Sequence, residues 1–255
     1  MSGVLHFLAL TVVAARRRII GLLAFGGIFL AAAGAARLLT GGEHGHVELD
    51  PIYAIGGTTL VSALLLTGWL IGRFPLIAIL VLAAGIFSDD RAAGYARLYA
   101  VRPRSLVALY GARFLLFTVL AFALSAIVMP AFDLIVLGHL PAPDIFVLMA
   151  AQIIVFGSLT TLLSLISRAD AWTALFLGLL ALVWDALRRA DFLINAAPFV
   201  RDAVTVALPP QGALLRIESA FGTAQAVPWD AFLIICLYGL LALVLAGLAL
   251  TRREI

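Results

Sequence analysis

Three stretches of this chain, Phe114–Met129, Ile145–Ile166 and Phe232–Leu250, run for most of a membrane's thickness without one charged side chain. A helix of about 20 apolar residues crosses a hydrocarbon core of about 30 Å. Lipid admits only helices and closed barrels, because it offers the backbone no hydrogen-bond partner. Two further runs, Ile19–Leu39 and Ala171–Leu187, carry a single charge each, Arg37 and Asp185. With 64% hydrophobic and 12% charged residues over 255 positions, the chain has neither the surface for water nor room for a separate soluble domain. The expected fold is all-α, one polytopic membrane domain spanning residues 1–255.

The formal charge of +3 comes from arginine alone, since the sequence contains no lysine. In such a chain a basic excess speaks of orientation in a bilayer, and nucleic acid is not an expected partner. The lone Cys236 lies inside an apolar run and permits neither an internal disulfide nor a thiolate metal site. At the N-terminus, apolar Val4–Ala15 precedes the triplet Arg16–Arg18, the reverse of a signal peptide's charge order. Ser2, His6, Ala9 and Arg16 fall on one helical stripe, so residues 1–18 read as an interfacial helix ahead of a first crossing at Ile19–Leu39. The alternative is that they extend that crossing.

The run Ile52–Ser88 is the ambiguous one. It is too long for one crossing and short for two, and Arg73, Phe74 and Pro75 interrupt it. Arginine placement chooses between the two. A single crossing gives six spans in all and puts Arg16–Arg18, residues 89–105, Arg168, Arg252 and Arg253 on one side, the side that retains basic residues. Two crossings would erase that bias. The expectation is therefore six transmembrane helices with both termini cytoplasmic, the second run being tilted or broken at Pro75.

The charged island Asp89–Ser105, DDRAAGYARLYAVRPRS, stands between two apolar runs on the cytoplasmic side of this topology. As a helix it places Asp90, Gly94, Arg97 and Arg104 along one stripe and Ala92, Tyr95 and Tyr99 along another, and Pro103 ends it near Arg102. Two readings fit: a solvated connector whose arginines touch lipid headgroups, or a docking element for a soluble partner. In the second, Tyr95, Leu98 and Tyr99 supply apolar contact, Gly94 a close backbone approach, and Arg91, Arg97, Arg102 and Arg104 ion pairs.

The order acidic residue, arginine, two residues, glycine, aromatic in DDRAAGY, followed by RLYAVRPRS and a new apolar span, resembles the cytoplasmic loop of ABC-2 type transporter permeases. Asp90 and Gly94 hold the family's acidic and glycine positions, Asp standing where Glu is more usual and Tyr95 where Thr is frequent. Val101–Arg104 hold the later part. The layout is similar over the whole chain, with an interfacial N-terminal helix, six spans and a long external segment before the last span. The segment GWLIGRFP and the absence of a large external domain resemble the compact permeases that accompany nitrous oxide reductase maturation.

The resemblance implies a permease that dimerises with a second copy or a homologue in a bacterial inner membrane. Residues 89–105 would act as a coupling helix against a separate ATP-binding subunit. ATP and Mg²⁺ would belong to that subunit, because this chain has no GxxxxGK[ST] loop and no lysine to reach a terminal phosphate; no catalytic residue and no resident cofactor are expected here. A second functional class uses the same island differently, as a non-transporting membrane scaffold or assembly factor that recruits a cytoplasmic protein.

Polar residues within apolar runs are the remaining candidates. Arg73 and Gln152 are possible translocation-path residues, with snorkelling the alternative for Arg73. Asp185 reads as a local ion pair with Arg188 or Arg189, Asp133 and Asp144 as interface residues, and Trp69, Trp172, Trp184 and Trp229 as interfacial anchors. His44 and His46 with Glu43, Glu48 and Asp50 form an external loop cluster with two readings, a weak Zn or Cu site or a solvated loop; the spacing is not specific to a metal, so the solvated loop is the favoured reading and no metal site is expected. Gly26, Gly27, Gly34, Gly56 and Gly57 read as helix-packing positions. Within 188–230, PFVRDAVTVAL and PPQGALLRIESAF each open on proline and predict two short helices at the outer interface.

Overall fold

The computed structural model describes residues 2–39, 68–94, 105–190, 197–223 and 225–252. The described residues are helical, with no strand among them: α1 Ser2–Leu39, a short helical turn at 68–72, α2 Phe74–Ala83, α3 Ser88–Ala92, α4 Leu106–Leu137, α5 Ile145–Ser164, α6 Asp170–Arg189, α7 Pro198–Ala207, α8 Gln211–Gly222 and α9 Trp229–Thr251. Helices α1, α4, α5, α6 and α9 are long and apolar enough to cross a membrane, the architecture of a multi-pass membrane protein. The run 52–88 is described only from residue 68 onward. Its break falls at Arg73, with Pro75 in the first turn of α2, where a missing N–H costs nothing.

α1 is one unbroken helix, so the division expected at Arg18 is not a helix boundary. Nothing between Ser2 and Leu39 breaks a helix: there is no proline, and the glycines are isolated or paired within alanine- and leucine-rich sequence. At 1.5 Å per residue it is about 57 Å long, well beyond the hydrocarbon core. α4 is likewise longer than its apolar run. It passes through Pro130, which removes one hydrogen bond, and ends where Gly138 turns left-handed at φ 79°. Arg37 of α1 donates to the carbonyls of Leu134, which also accepts the Gly138 N–H, and of Ile135.

α5 lies at the centre, packed by α2, α4, α6, α8 and α9, and 67% of its apolar window is buried against 28% for α9. Lipid is as apolar as leucine, so close approach rather than water exclusion holds such helices together. Small residues make the approach. A Cβ at Gly239 of α9 would sit 2.5 Å from Ile154, one at Gly157 of α5 would sit 2.8 Å from Ile79, and one at Gly178 of α6 would sit 2.8 Å from the Phe156 ring. Gly26 plays the same part for α1 against Val128, whereas Gly27 and Gly34 meet nothing within 4 Å, and Gly56 and Gly57 lie outside the described residues. The core hydroxyls of Ser125, Ser158, Thr160 and Thr161 donate back to carbonyls of their own helices, whereas those of Ser88 and Thr118 are buried without a partner among the described residues.

The two proline-led segments of 188–230 form helices as expected, α7 from Pro198 and α8 just after Pro209 and Pro210, but their hairpin is packed into the bundle. α8 buries Ala213, Leu214 and Ile217 and packs on α5, α6 and α9. Gln211 at its start comes within 3.4 Å of the Cβ position of Gly178, which lies about 12 Å along α6 from its first residue. The tip at Pro209 and Pro210 therefore enters the bundle.

The Gly239→Val variant is expected to lose about 1–3 kcal/mol through forced separation of α9 from α5. Gly111→Ala, whose Cβ meets nothing within 4 Å, is expected to be neutral or to gain about 0.5–1 kcal/mol. Thermal unfolding in detergent, followed by helical circular dichroism, compares the two.

Candidate functional site

The start of the charged island is a tightly tied corner where α2 ends, α4 begins and α5 hands over to α6. After α2 the chain turns through residues 84–87, and Gly85 sits at φ 70° with its Cβ position 2.1 Å from the Asp89 carboxylate. Only glycine fits that place. Its N–H donates to Oδ2 of Asp170 at 2.8 Å, and Asp170, 2% exposed, also accepts from the Ala171 N–H at 2.8 Å. A carboxylate at the first residue of α6 thus fixes a turn that follows α2.

α3 then turns one of its three charges, Asp90, inward. Asp90 and Arg113 of α4 form an ion pair at 2.8 Å with side chains only 14% and 13% exposed. The Tyr110 hydroxyl donates to the same Asp90 oxygen at 3.1 Å, and Arg113 donates to the Ile86 carbonyl at 3.0 Å. The Arg113 guanidinium lies 5.7 Å from the Phe117 ring centre, and Phe87 meets Tyr110 edge-on at 5.0 Å. Arg91 donates to the carbonyl of Leu165 at the end of α5, at 3.1 Å. From α1, Arg18 donates to the carbonyls of Leu82 and Ala84 and pairs with Asp89 at 3.1 Å. Asp89 is 62% exposed, so that pair contributes at most about 1 kcal/mol, whereas the enclosed Asp90–Arg113 pair cannot lose one partner cheaply.

This geometry corrects the expected stripe. The helix stops at Ala92, and Gly94 adopts φ 77°, so Asp90 and Gly94 do not continue in one helical register toward Arg97 and Arg104. Among the described residues a Cβ on Gly94 would meet nothing within 4 Å, and its left-handed φ is the reason for a glycine there. Asp90 and Arg91 are spent on the chain's own helices. Tyr95, Arg97, Leu98, Tyr99, Arg102 and Arg104 lie outside the described residues, as do His44, His46 and their acidic neighbours. Among the described residues no group of three or more histidines, cysteines or acids could hold a metal.

A second polar cluster gathers at the kink before α2. Arg73 pairs with Glu218 of α8 at 2.8 Å and lies 5.8 Å from the centre of the Trp69 ring. Gln152 of α5, 1% exposed, donates from Nε2 to the Gly72 carbonyl at 3.1 Å, while its Oε1 has no partner. The sequence suggested Arg73 and Gln152 separately; the fold brings both to one kink and adds Glu218. Trp69 belongs to this cluster rather than acting only as an anchor. Asp185 pairs with Arg189 one turn on, as expected.

Tyr110, Arg113, Asp170 and Glu218 carry these clusters and were not singled out as site residues. Their signal is weak: a lone charge or phenol near the end of an apolar run says that it needs a partner, not which one. No protein-family model matches the chain, and no curated protein or solved structure is significantly similar to it.

The Asp90→Ala variant is expected to cost about 3 kcal/mol, because it strands Arg113 in a confined place. Tyr110→Phe should cost about 1 kcal/mol. In the double variant Asp90→Ala/Arg113→Leu the loss should be smaller than the sum of the single losses; additive losses, measured by thermal unfolding, would show that the pair is not coupled.

Proposed function

We propose that this chain is the membrane-spanning permease subunit of an ABC transporter of the ABC-2 type. In this reading it makes six crossings with both termini cytoplasmic and works as a dimer with a second copy or a homologue. The island Asp89–Ser105 receives a separate ATP-binding subunit that supplies ATP, Mg²⁺ and the hydrolytic machinery.

The observation that carries the reading is the bracing of the island's first turn. Asp89 is held from α1 by Arg18, Asp90 from α4 by Tyr110 and Arg113, and Arg91 holds the last turn of α5. A loop that only connected two spans has no need of an enclosed ion pair. A loop that must pass a push to the spans does, because force applied to residues 95–104 reaches three crossing helices through short, stiff contacts. The Gly85 turn, locked by Asp170, extends the same linkage to α6. The division of labour follows from the same residues. Asp90 and Arg91 fix the base, leaving Arg97, Arg102, Arg104 and the aromatic pair Tyr95 and Tyr99 as the partner-facing set.

Co-expression with a candidate ATPase, identified as the product of a neighbouring gene with a phosphate-binding loop, tests this reading. The two proteins should co-purify, and ATP hydrolysis should be stimulated by this chain in liposomes. Arg97→Glu combined with Tyr99→Ala should abolish co-purification while leaving the helical signal and melting midpoint unchanged. Full assembly and unaltered ATP hydrolysis in that variant would sink the docking role. Assembly without any nucleotide-dependent activity would favour the scaffold class.

A further inference from the structure

The α7–α8 hairpin does not fill the space it enters. A cavity of about 790 Å³ remains between α6, the hairpin and α9, a size within the range of about 300–1,000 Å³ typical of ligand pockets. Its polarity is graded along the membrane normal. At the end where α6 finishes and α9 starts it is lined by Trp184, Asp185, Arg188, Arg189 and Arg216. Further in, its wall is Ala181, Leu208 and Leu215 together with Ile234, Leu237 and Leu241 of α9. Ile234 and Leu241 lie about 10 Å apart along the helix axis, so the apolar wall runs roughly a third of the thickness of a bilayer core.

The charges at the mouth do not cancel. Asp185 takes Arg189, and Arg216 is taken by Asp230 at 2.7 Å, which itself does not line the cavity. Arg188 is exposed and has no ion-pair partner among the described residues. Its cavity lining therefore totals three arginines against one aspartate. Ile234, Leu237 and Leu241 are each about half exposed and open the apolar part sideways. The mouth is cationic, and the deeper wall is mostly apolar, with Gln211 at the hairpin tip and Tyr238 of α9 as its polar members.

We infer that this cavity is a binding site for an anionic phospholipid. The phosphate lies against Arg188, with Trp184 beside it at the interface, and one acyl chain descends along Ile234, Leu237 and Leu241 toward the hairpin tip. The charge gradient selects the occupant. A soluble anion leaves the apolar wall empty, and a zwitterionic lipid brings a second charge that the arginines repel. The bound lipid fills the gap between α6 and α9 beside the hairpin and so holds the hairpin in its inserted position. This site is separate from the island and does not depend on the transporter reading.

The test uses the full chain purified in detergent, stripped of lipid and titrated with dioleoylphosphatidylglycerol, with retained lipid counted by native mass spectrometry. One phosphatidylglycerol per chain should resist dilution, and dioleoylphosphatidylcholine should bind about five- to tenfold more weakly. Arg188→Gln should remove that preference, and Leu237→Trp should block binding of both lipids. Arg168→Gln, an exposed arginine at the opposite end, should change nothing and serves as the control for general charge. Equal retention of the two lipids by the native chain, or an undiminished preference in Arg188→Gln, overturns the proposal. So does saturable binding of glycerol phosphate alone with the affinity of the lipid, which would mark an anion site rather than a lipid site. Leu237→Cys in a Cys236→Ala background supplies the last arm. A disulfide between two chains at this position would mean that a second copy covers the cavity, and would overturn it as well.

Discussion

Everything in this fold depends on how closely other helices approach α5. In water an apolar helix is driven inward by the surface it hides; in lipid that force vanishes, and what remains is contact between well-fitted atoms and the need to satisfy every polar group. Gly157 and Gly239 bring α2 and α9 to within a methyl's width of α5, and Gly178 admits the Phe156 ring into α6. The same helix carries Gln152, whose amide reaches the Gly72 carbonyl at the kink, and ends at Leu165, whose carbonyl takes Arg91. Both polar clusters are therefore built on one buried scaffold, and a shift of α5 would be felt at each.

The island shows how a short charged sequence can be divided between two tasks. Asp90 near its start faces inward, and most of its arginines follow a left-handed glycine in the sequence. Burying Asp90 beside Arg113 needs compensation for two desolvated ions, which Tyr110 and the Ile86 carbonyl provide. Such a pair gives little net stability compared with apolar residues of the same size. Its value is directional: a carboxylate held by two donors, from Tyr110 and Arg113, has one position, and so does the turn that carries it.

Much of the scaffold was readable in the sequence, because length and hydropathy alone decide where a helix can cross. Ile145–Ile166 became Ile145–Ser164, Ala171–Leu187 became Asp170–Arg189, and each proline-led segment after 197 became a helix. Helix ends were less legible. α4 overran its apolar run because Ser105 caps its start and Arg37 donates to carbonyls of its last turn, and the second of these depends on a residue almost a hundred positions away. The sites were least legible of all. Asp170 follows a serine, an arginine and an alanine in an ordinary loop, and nothing local says that it will hold Gly85. The periodicity that suggested one stripe from Asp90 to Arg104 failed because a helical wheel cannot register a positive φ at Gly94.

The Arg73–Glu218 pair sets a physical limit on what can surround this bundle. Arg73 lies about 16 Å along the axis from Ala84, the level at which Arg18 binds, and its partner Glu218 is only two residues along α8 from Arg216 at the mouth of the cavity. Its side chain is 23% exposed and that of Glu218 36%. Partly exposed ions on the side of an apolar bundle are disfavoured against acyl chains, and Trp69 shields only one side of the guanidinium. The face that carries this pair therefore needs water or protein against it. The face of α9 formed by Leu233, Leu237, Leu240 and Leu248 has no such requirement and is suited to lipid. One ion pair is enough to make the sides of the bundle unequal, and α8 is the element that creates the difference, since it brings Glu218 to Arg73 and also lines the cavity with Leu215.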